Sequence, residues 1–279
     1  SACLVGSEMC IRDRHGHETK IFIFIIMKNI KSILLGFFCF CFSGILLAQE
    51  SEVYKPVDFS LQLKNMHLWR GLQITSSAVT DVDLRVKDKS GTFTGGLWGG
   101  AGTDGEFKEF DYYFTFSKSG FTFAAWDIYN FSKDATYNNR QVFNYSARET
   151  GHFIDLSLAY RFSGSFPLNI SWATVVFGRD RGALNEKNLY STYVSMDYPV
   201  LRSDYINLDL GIAGAFALSP EKGTDANFYA KDAGIVNVNI VASKKLQLGS
   251  YTLPVSVMGM WNPANNNANI QVALDLITF

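Results

Sequence analysis

The sequence predicts an all-β fold: a closed antiparallel transmembrane β-barrel of about twelve up-and-down strands. Three observations predict it. Apolar and polar residues alternate in segment after segment. The links between segments are short on one side and mostly long on the other. No apolar run after residue 48 approaches the ~20 residues of a spanning helix, so membrane entry would require a sealed sheet.

Alternation at period two is the signal of a strand with two unlike faces. In residues 153–162, Ile154, Leu156, Leu158, Tyr160 and Phe162 oppose Phe153, Asp155, Ser157, Ala159 and Arg161. In residues 109–117, Phe110, Tyr112, Phe114 and Phe116 oppose Glu109, Asp111, Tyr113, Thr115 and Ser117. The pattern predicts strands over 57–67, 77–87, 91–100, 106–117, 120–130, 151–163, 167–177, 187–198, 204–216, 233–244, 250–261 and 267–279. Each has about the length a tilted strand needs to cross a bilayer. Links after the even-numbered strands are mostly tight, and two after odd-numbered strands, at 101–105 and 262–266, are short as well. Those at 68–76, 131–150, 178–186 and 218–231 are long, the asymmetry of outer-membrane barrels. Tyr and Trp near strand ends fit interfacial girdles. The final strand has a phase conflict: Ile270, Val272, Leu274 and Leu276 share a face that Ile277 and Phe279 do not, unless a bulge intervenes.

The N-terminal residues read differently. Residues 27–48 combine a basic start (Lys28, Lys31), an apolar run and Ala48 before Gln49, the layout of a cleavable Sec signal peptide. Residues 1–26, with LVGSEMCIRD at 4–13, read as a sequencing or cloning scar, which leaves 49–279 as the barrel domain. All four cysteines precede residue 42, so the barrel domain has no disulfide framework and no thiolate metal site. From Gln49 onward, 20 Lys and Arg face 23 Asp and Glu, a balance that argues against nucleic acid as a partner. The expected location is the outer membrane of a Gram-negative bacterium. The expected partners are the lipid bilayer, lipopolysaccharide, the barrel-assembly machinery, and small solutes or ions. No cofactor is implied.

With the apolar faces toward lipid, the opposite faces line the bore. They carry Lys64, Arg70, Asp81, Asp83, Arg85, Glu109, Asp111, Asp127, Asp155, Arg161, Asp197, Asp209 and Asp275. Such charges are costly against lipid and set ion preference at a constriction, so the acid excess predicts mild cation preference. The alternative is a bore filled by Arg–carboxylate networks that only brace the wall. Arg70-Gly71 is a bend from which Arg70 either reaches the bore or sits at the rim. Arg179-Asp180-Arg181 reads as solvated loop charge, or else as a site for lipopolysaccharide phosphate or an anionic solute. The barrel domain has two histidines, His67 and His152, and no H-E-x-x-H, Walker or G-x-S-x-G motif. A rim-located enzyme would have to use those histidines. No catalytic or metal-binding residue is assigned.

Residues 66–73, Met-His-Leu-Trp-Arg-Gly-Leu-Gln, resemble the aromatic-Arg-Gly signature of the TorF-like porins, also called the Gcw_chp family. Gly95-Gly96-Leu97-Trp98 and Glu109-Phe110-Asp111-Tyr112-Tyr113 resemble later features of that family. The long 131–150 loop and the register of the final strand depart from it. The resemblance implies an outer-membrane channel of unassigned cargo and carries over nothing catalytic. The function expected is passive diffusion through a narrow charged lumen, with a non-conducting structural or adhesive barrel as the alternative.

Overall fold

The computed structural model describes residues 54–279. The scar-like segment and the signal peptide expected at 1–48 lie outside the described residues. Twelve strands form the wall: β1 (Val57–Lys64), β4 (Val79–Lys87), β5 (Phe93–Gly102), β6 (Lys108–Lys118), β7 (Phe121–Asn130), β8 (His152–Arg161), β9 (Asn169–Gly178), β10 (Ser191–Arg202), β11 (Asn207–Ala217), β12 (Gly234–Leu248), β13 (Tyr251–Asn262) and β14 (Asn267–Thr278). Each pairs antiparallel with its neighbours, and β1 pairs with both β4 and β14, which closes the barrel. Two short strands, β2 (His67–Trp69) and β3 (Leu72–Thr75), form a separate hairpin between β1 and β4.

Closure follows from the backbone's need for partners where no water reaches it. The exposed face is apolar: Leu84, Leu97, Phe114, Leu158, Ile240 and Ile270 are all more than a third exposed. Each lies opposite a residue of the same face on the next strand, as in Leu84↔Leu97 and Leu158↔Trp172. The alternation is thus a record of two solvents, one on each side of the wall. Tight links at 88–92, 119–120, 203–206 and 249–250 lie on one rim. The long ones, 131–151, 179–190 and 218–233, lie on the other.

The final strand resolves its phase conflict with a bulge. Gln62 pairs with Asp275 but Leu61 pairs with Ile277, so Leu276 is the extra residue. Asp275 therefore faces inward while Ile277 and Phe279 return to the outer face. Phe59 and Phe279 exchange two backbone hydrogen bonds (3.0 and 3.1 Å), and their rings stack at 5.4 Å.

The glycines of the 95–98 motif have a packing reason. Gly96 faces inward, and a Cβ there would stand 2.3 Å from the Tyr113 ring. The missing side chain lets Tyr113 lie flat across β5, stack on Trp126 (4.0 Å, 17°) and donate to Asp83 at 2.8 Å.

Candidate functional site

Paired residues in an antiparallel ladder share a face, so the register assigns each expected bore residue to a side. Lys64, Asp81, Asp83, Arg85, Glu109, Asp111, Asp155, Arg161, Asp197, Asp209 and Asp275 face inward. They fall into small groups. Lys64 pairs with Asp81 at 3.0 Å, Asp83 with Arg85 at 3.5 Å, and Arg202 with Asp209. Asp197 accepts from Ser195 at 3.1 Å. These interactions brace the wall.

Asp127 is a correction to the expected bore lining. It lies opposite Tyr112 and Ile154, so it is on the outer face, in phase with Phe121 and Phe123. The charge is tolerated there because the 131–150 link folds back over it. Asp127 accepts from the hydroxyls of Tyr112 and Tyr145, the latter at 2.7 Å. His152 Nδ1 faces Asp127 Oδ1 at 2.7 Å, and its Nε2 faces the Val142 carbonyl at 2.8 Å. Tyr129 and Tyr145 flank the His152 ring at 4.3 and 4.4 Å. His152 thus ties the long loop to the outside of the wall. His152→Phe keeps a ring of similar size but loses both polar ties, about 1.5–3 kcal/mol for the one to the Asp127 carboxylate and about 0.5–1.5 kcal/mol for the one to the Val142 carbonyl. The expected result is a barrel that still forms but whose 131–150 loop is cut by trypsin at Arg140 or Arg148 at least ten-fold faster. Unchanged cleavage would remove the tether.

The β2–β3 hairpin is the feature absent from the sequence-based element list. Trp69 and Leu72 pair across Arg70 (φ 47°) and Gly71 (φ 87°), the two positive φ values that a tight type I′ hairpin turn needs. The Arg-Gly motif is therefore a turn, and it points into the bore. Arg70 donates from Nη1 and Nη2 to the two oxygens of Asp155 at 2.7 and 2.8 Å, and from Nη1 to the Tyr229 hydroxyl at 2.9 Å. Its guanidinium lies 4.7 Å from the Trp69 ring. On other walls, Asn262 of β13 donates to the Gly71 carbonyl at 3.0 Å, and Gln271 of β14 accepts from the Leu68 N–H at 2.9 Å. His67 stacks beside Trp98 of β5 at 5.5 Å. Contacts to β5, β8, β13 and β14 make the hairpin a plug laid across the bore. Gly71 tolerates no side chain: a Cβ would meet the Val236 carbonyl at 2.1 Å, at a φ that favours glycine. Gly71→Ala is expected to cost at least about 1–3 kcal/mol, on the scale of a strained backbone site. Hydrogen exchange at β2, β3 and the facing part of β12 should rise while exchange at β6, which the turn does not touch, holds.

Above the plug lies a cavity of about 900 Å³, lined by the hairpin, β5 to β8 and the long loops. Its polar side chains include Glu109, Asp111, Asn130, Gln73 and His67, and its apolar walls include Trp69, Trp98, Trp126, Phe107 and Phe153. Arg179 belongs here rather than to the solvated loop charge expected of it. Its guanidinium lies 4.0 Å from the Tyr137 ring, 4.8 Å from Phe153 and 5.2 Å from Phe228. Asp180 is buried and accepts from the Ser191 N–H and hydroxyl, both at 2.7 Å. Burial pushes its carboxyl above the ordinary range, against those two bonds. Arg181 bonds to Asn185 in the same loop. Among the described residues, neither His67 nor His152 meets a serine hydroxyl.

No family model matches the chain, and no curated protein matches it. Among solved structures it is similar to outer-membrane proteins, three of which follow. One is Wzi, involved in group 1 capsule assembly in Escherichia coli and described as a carbohydrate-binding β-barrel (10% identity, TM-score 0.33, 80% of this chain). This chain spans 56% of the length of that protein. The second is an outer membrane channel from Pseudomonas putida F1 (11% identity, TM-score 0.40, 82% of this chain and 98% of that one). The third is a bacterial polysaccharide outer membrane secretin (9% identity, TM-score 0.40, 80% and 97%). The closed barrel stands on its own strand pairing, independently of these likenesses.

Proposed function

We propose that this chain is an outer-membrane channel of a Gram-negative bacterium, of the TorF-like kind its motifs resemble, admitting small solutes through a narrow, acid-rich bore. One observation carries the reading: the two faces of a single closed wall belong to different solvents. Leu158 is 51% exposed on the outside, whereas Asp155 on the same strand is 1% exposed on the inside and ion-paired. An arginine or lysine facing lipid would cost about 2–4 kcal/mol near mid-depth and a carboxylate less, and this polarity supports a wall whose outer face meets a bilayer. Twelve strands lie between the eight that leave no channel and the sixteen of open porins, and the hairpin narrows the bore further.

Planar-bilayer recording of the refolded chain tests this. The expected result is a small steady current whose reversal potential in a salt gradient favours cations. A bilayer that stays silent after verified insertion would sink the channel and leave the second reading, a closed binding barrel. That reading draws its support from the hairpin's ties to four separate wall strands.

A further inference from the structure

The cavity above the hairpin brings together two carboxyl groups that no cation pairs. Asp155 is neutralised by Arg70, and Asp81 by Lys64. Glu109 and Asp111 stand two residues apart on the inner face of β6, and among the described residues neither has a cation within ion-pair distance. Glu109 accepts from the Asn130 amide at 3.0 Å, and Asp111 from the Tyr129 N–H at 3.3 Å. Arg179 acts on both from a distance, but its guanidinium is held among the rings of Tyr137, Phe153 and Phe228. The two carboxyl groups therefore share the remote Arg179 guanidinium, with the Lys64 ammonium, itself paired to Asp81, acting on Glu109 alone. Buried charges are normally paired, because an unpaired one forfeits its hydration with nothing in exchange.

A second observation points to a ligand independently. His67 lines the same cavity, is only 8% exposed, and its Nδ1 has no hydrogen-bond partner. In either tautomer a buried ring nitrogen normally has a hydrogen-bond partner, and the protein supplies none here. The apolar share of the wall narrows the ligand class. Trp126 lines the cavity with its ring backed by Tyr113 at 4.0 Å, a rigid aromatic surface beside the carboxylates. Aromatic faces next to carboxylates suit an organic cation, which gains both from the ring quadrupole and from the ion pair. Among the described residues no three metal-ligating side chains come together, as a bare metal ion would want. A cavity of about 900 Å³ lies within the range that holds small organic molecules.

We propose that this cavity binds small organic ammonium solutes. Glu109 and Asp111 hold the ammonium group, and Trp126 takes the apolar body. The proposal deepens the channel reading by naming a solute class, and it rests on that reading only for solute entry from the long-loop rim.

Calorimetric titration of the refolded full chain with phenethylamine tests it, with 2-phenylethanol as the neutral probe of the same shape and phenylacetate as the anionic one. The expected result is saturable binding of phenethylamine, at least ten-fold tighter than either control. The shape-conserving double variant Glu109→Gln/Asp111→Asn should lose that preference while keeping its folded electrophoretic mobility. Trp126→Leu should weaken the amine and the alcohol alike. Equal binding of amine and alcohol, tighter binding of phenylacetate, an unchanged double variant, or no saturable heat would each overturn the proposal. Amine binding by a chain that carries no current would leave this site standing and remove only the channel.

Discussion

Arg70→Ala is expected to release the hairpin and raise single-channel conductance several-fold, the largest functional effect of any single substitution in the bore. Arg70 occupies a left-handed backbone position that favours glycine, and nothing local rewards it there. What holds it is the fork of two hydrogen bonds to Asp155, a carboxylate 1% exposed, with the Tyr229 hydroxyl as a third partner. Truncation relieves the backbone very little but strands the Asp155 charge. Breaking a buried pair from one side costs about 3–5 kcal/mol. The Arg70 side chain is 19% exposed, which places the expected loss toward the lower end. Asn262 and Gln271 still hold other parts of the hairpin, so the released state should flicker rather than stay open. Arg70→Lys retains the charge without the fork, and should give an intermediate conductance. Arg70→Ala/Asp155→Asn removes both charges and should be less destabilised than Arg70→Ala alone. If the two variants behave alike, the pair is not what docks the plug. Wild-type current in Arg70→Ala would mean that the hairpin does not limit flow.

The wall was legible in the sequence because each strand faces two solvents for about ten residues, long enough for a period of two to stand out. The bulge at Leu276 was legible as a broken phase, since Ile277 and Phe279 could not join Leu274 on one face otherwise. The hairpin was not legible as an element. Its strands have three and four residues, too short for periodicity, and its flanks were absorbed into the end of the first strand and a long link. The one available signal was Arg-Gly between Trp69 and Leu72, which marks a bend but not its destination. Asp127 went to the wrong side for a different reason. Counting from Phe121 and Phe123 places it outward, yet charge was expected to lie inward everywhere. That expectation fails near a rim, where a folded loop such as 131–150 can cover a carboxylate in place of the bore. The unpaired state of Glu109 and Asp111 lay beyond sequence reasoning altogether. It depends on where Arg179 goes, and the sequence leaves Arg179 between solvated loop charge and a site for an anion.

The orientation of the wall has its own test, with a large expected effect. Leu158→Arg places a guanidinium on the outer face, seventh in the ten residues of β8, between Phe123 and Trp172 of the neighbouring strands. In a bilayer the cost should be about 2–4 kcal/mol, read as a lower urea midpoint or a lower folded yield in liposomes. Ser157→Arg, one residue earlier, sends the same group into the bore, where water and inward carboxylates receive it. Its cost should be a small part of that figure. The difference between the two variants is the informative quantity once a Leu158→Ser control has accounted for the lost leucine, because the introduced side chain and its charge are common to both. A water-soluble barrel with the same strands would leave Leu158→Arg neutral and more soluble, since the guanidinium would then enter water. A lipid-facing wall reverses that order, and the reversal depends on bilayer thickness. Lipids with a thinner hydrocarbon core should shrink the Leu158→Arg penalty while leaving Ser157→Arg where it was, because only the outward arginine has to reach a headgroup to be solvated.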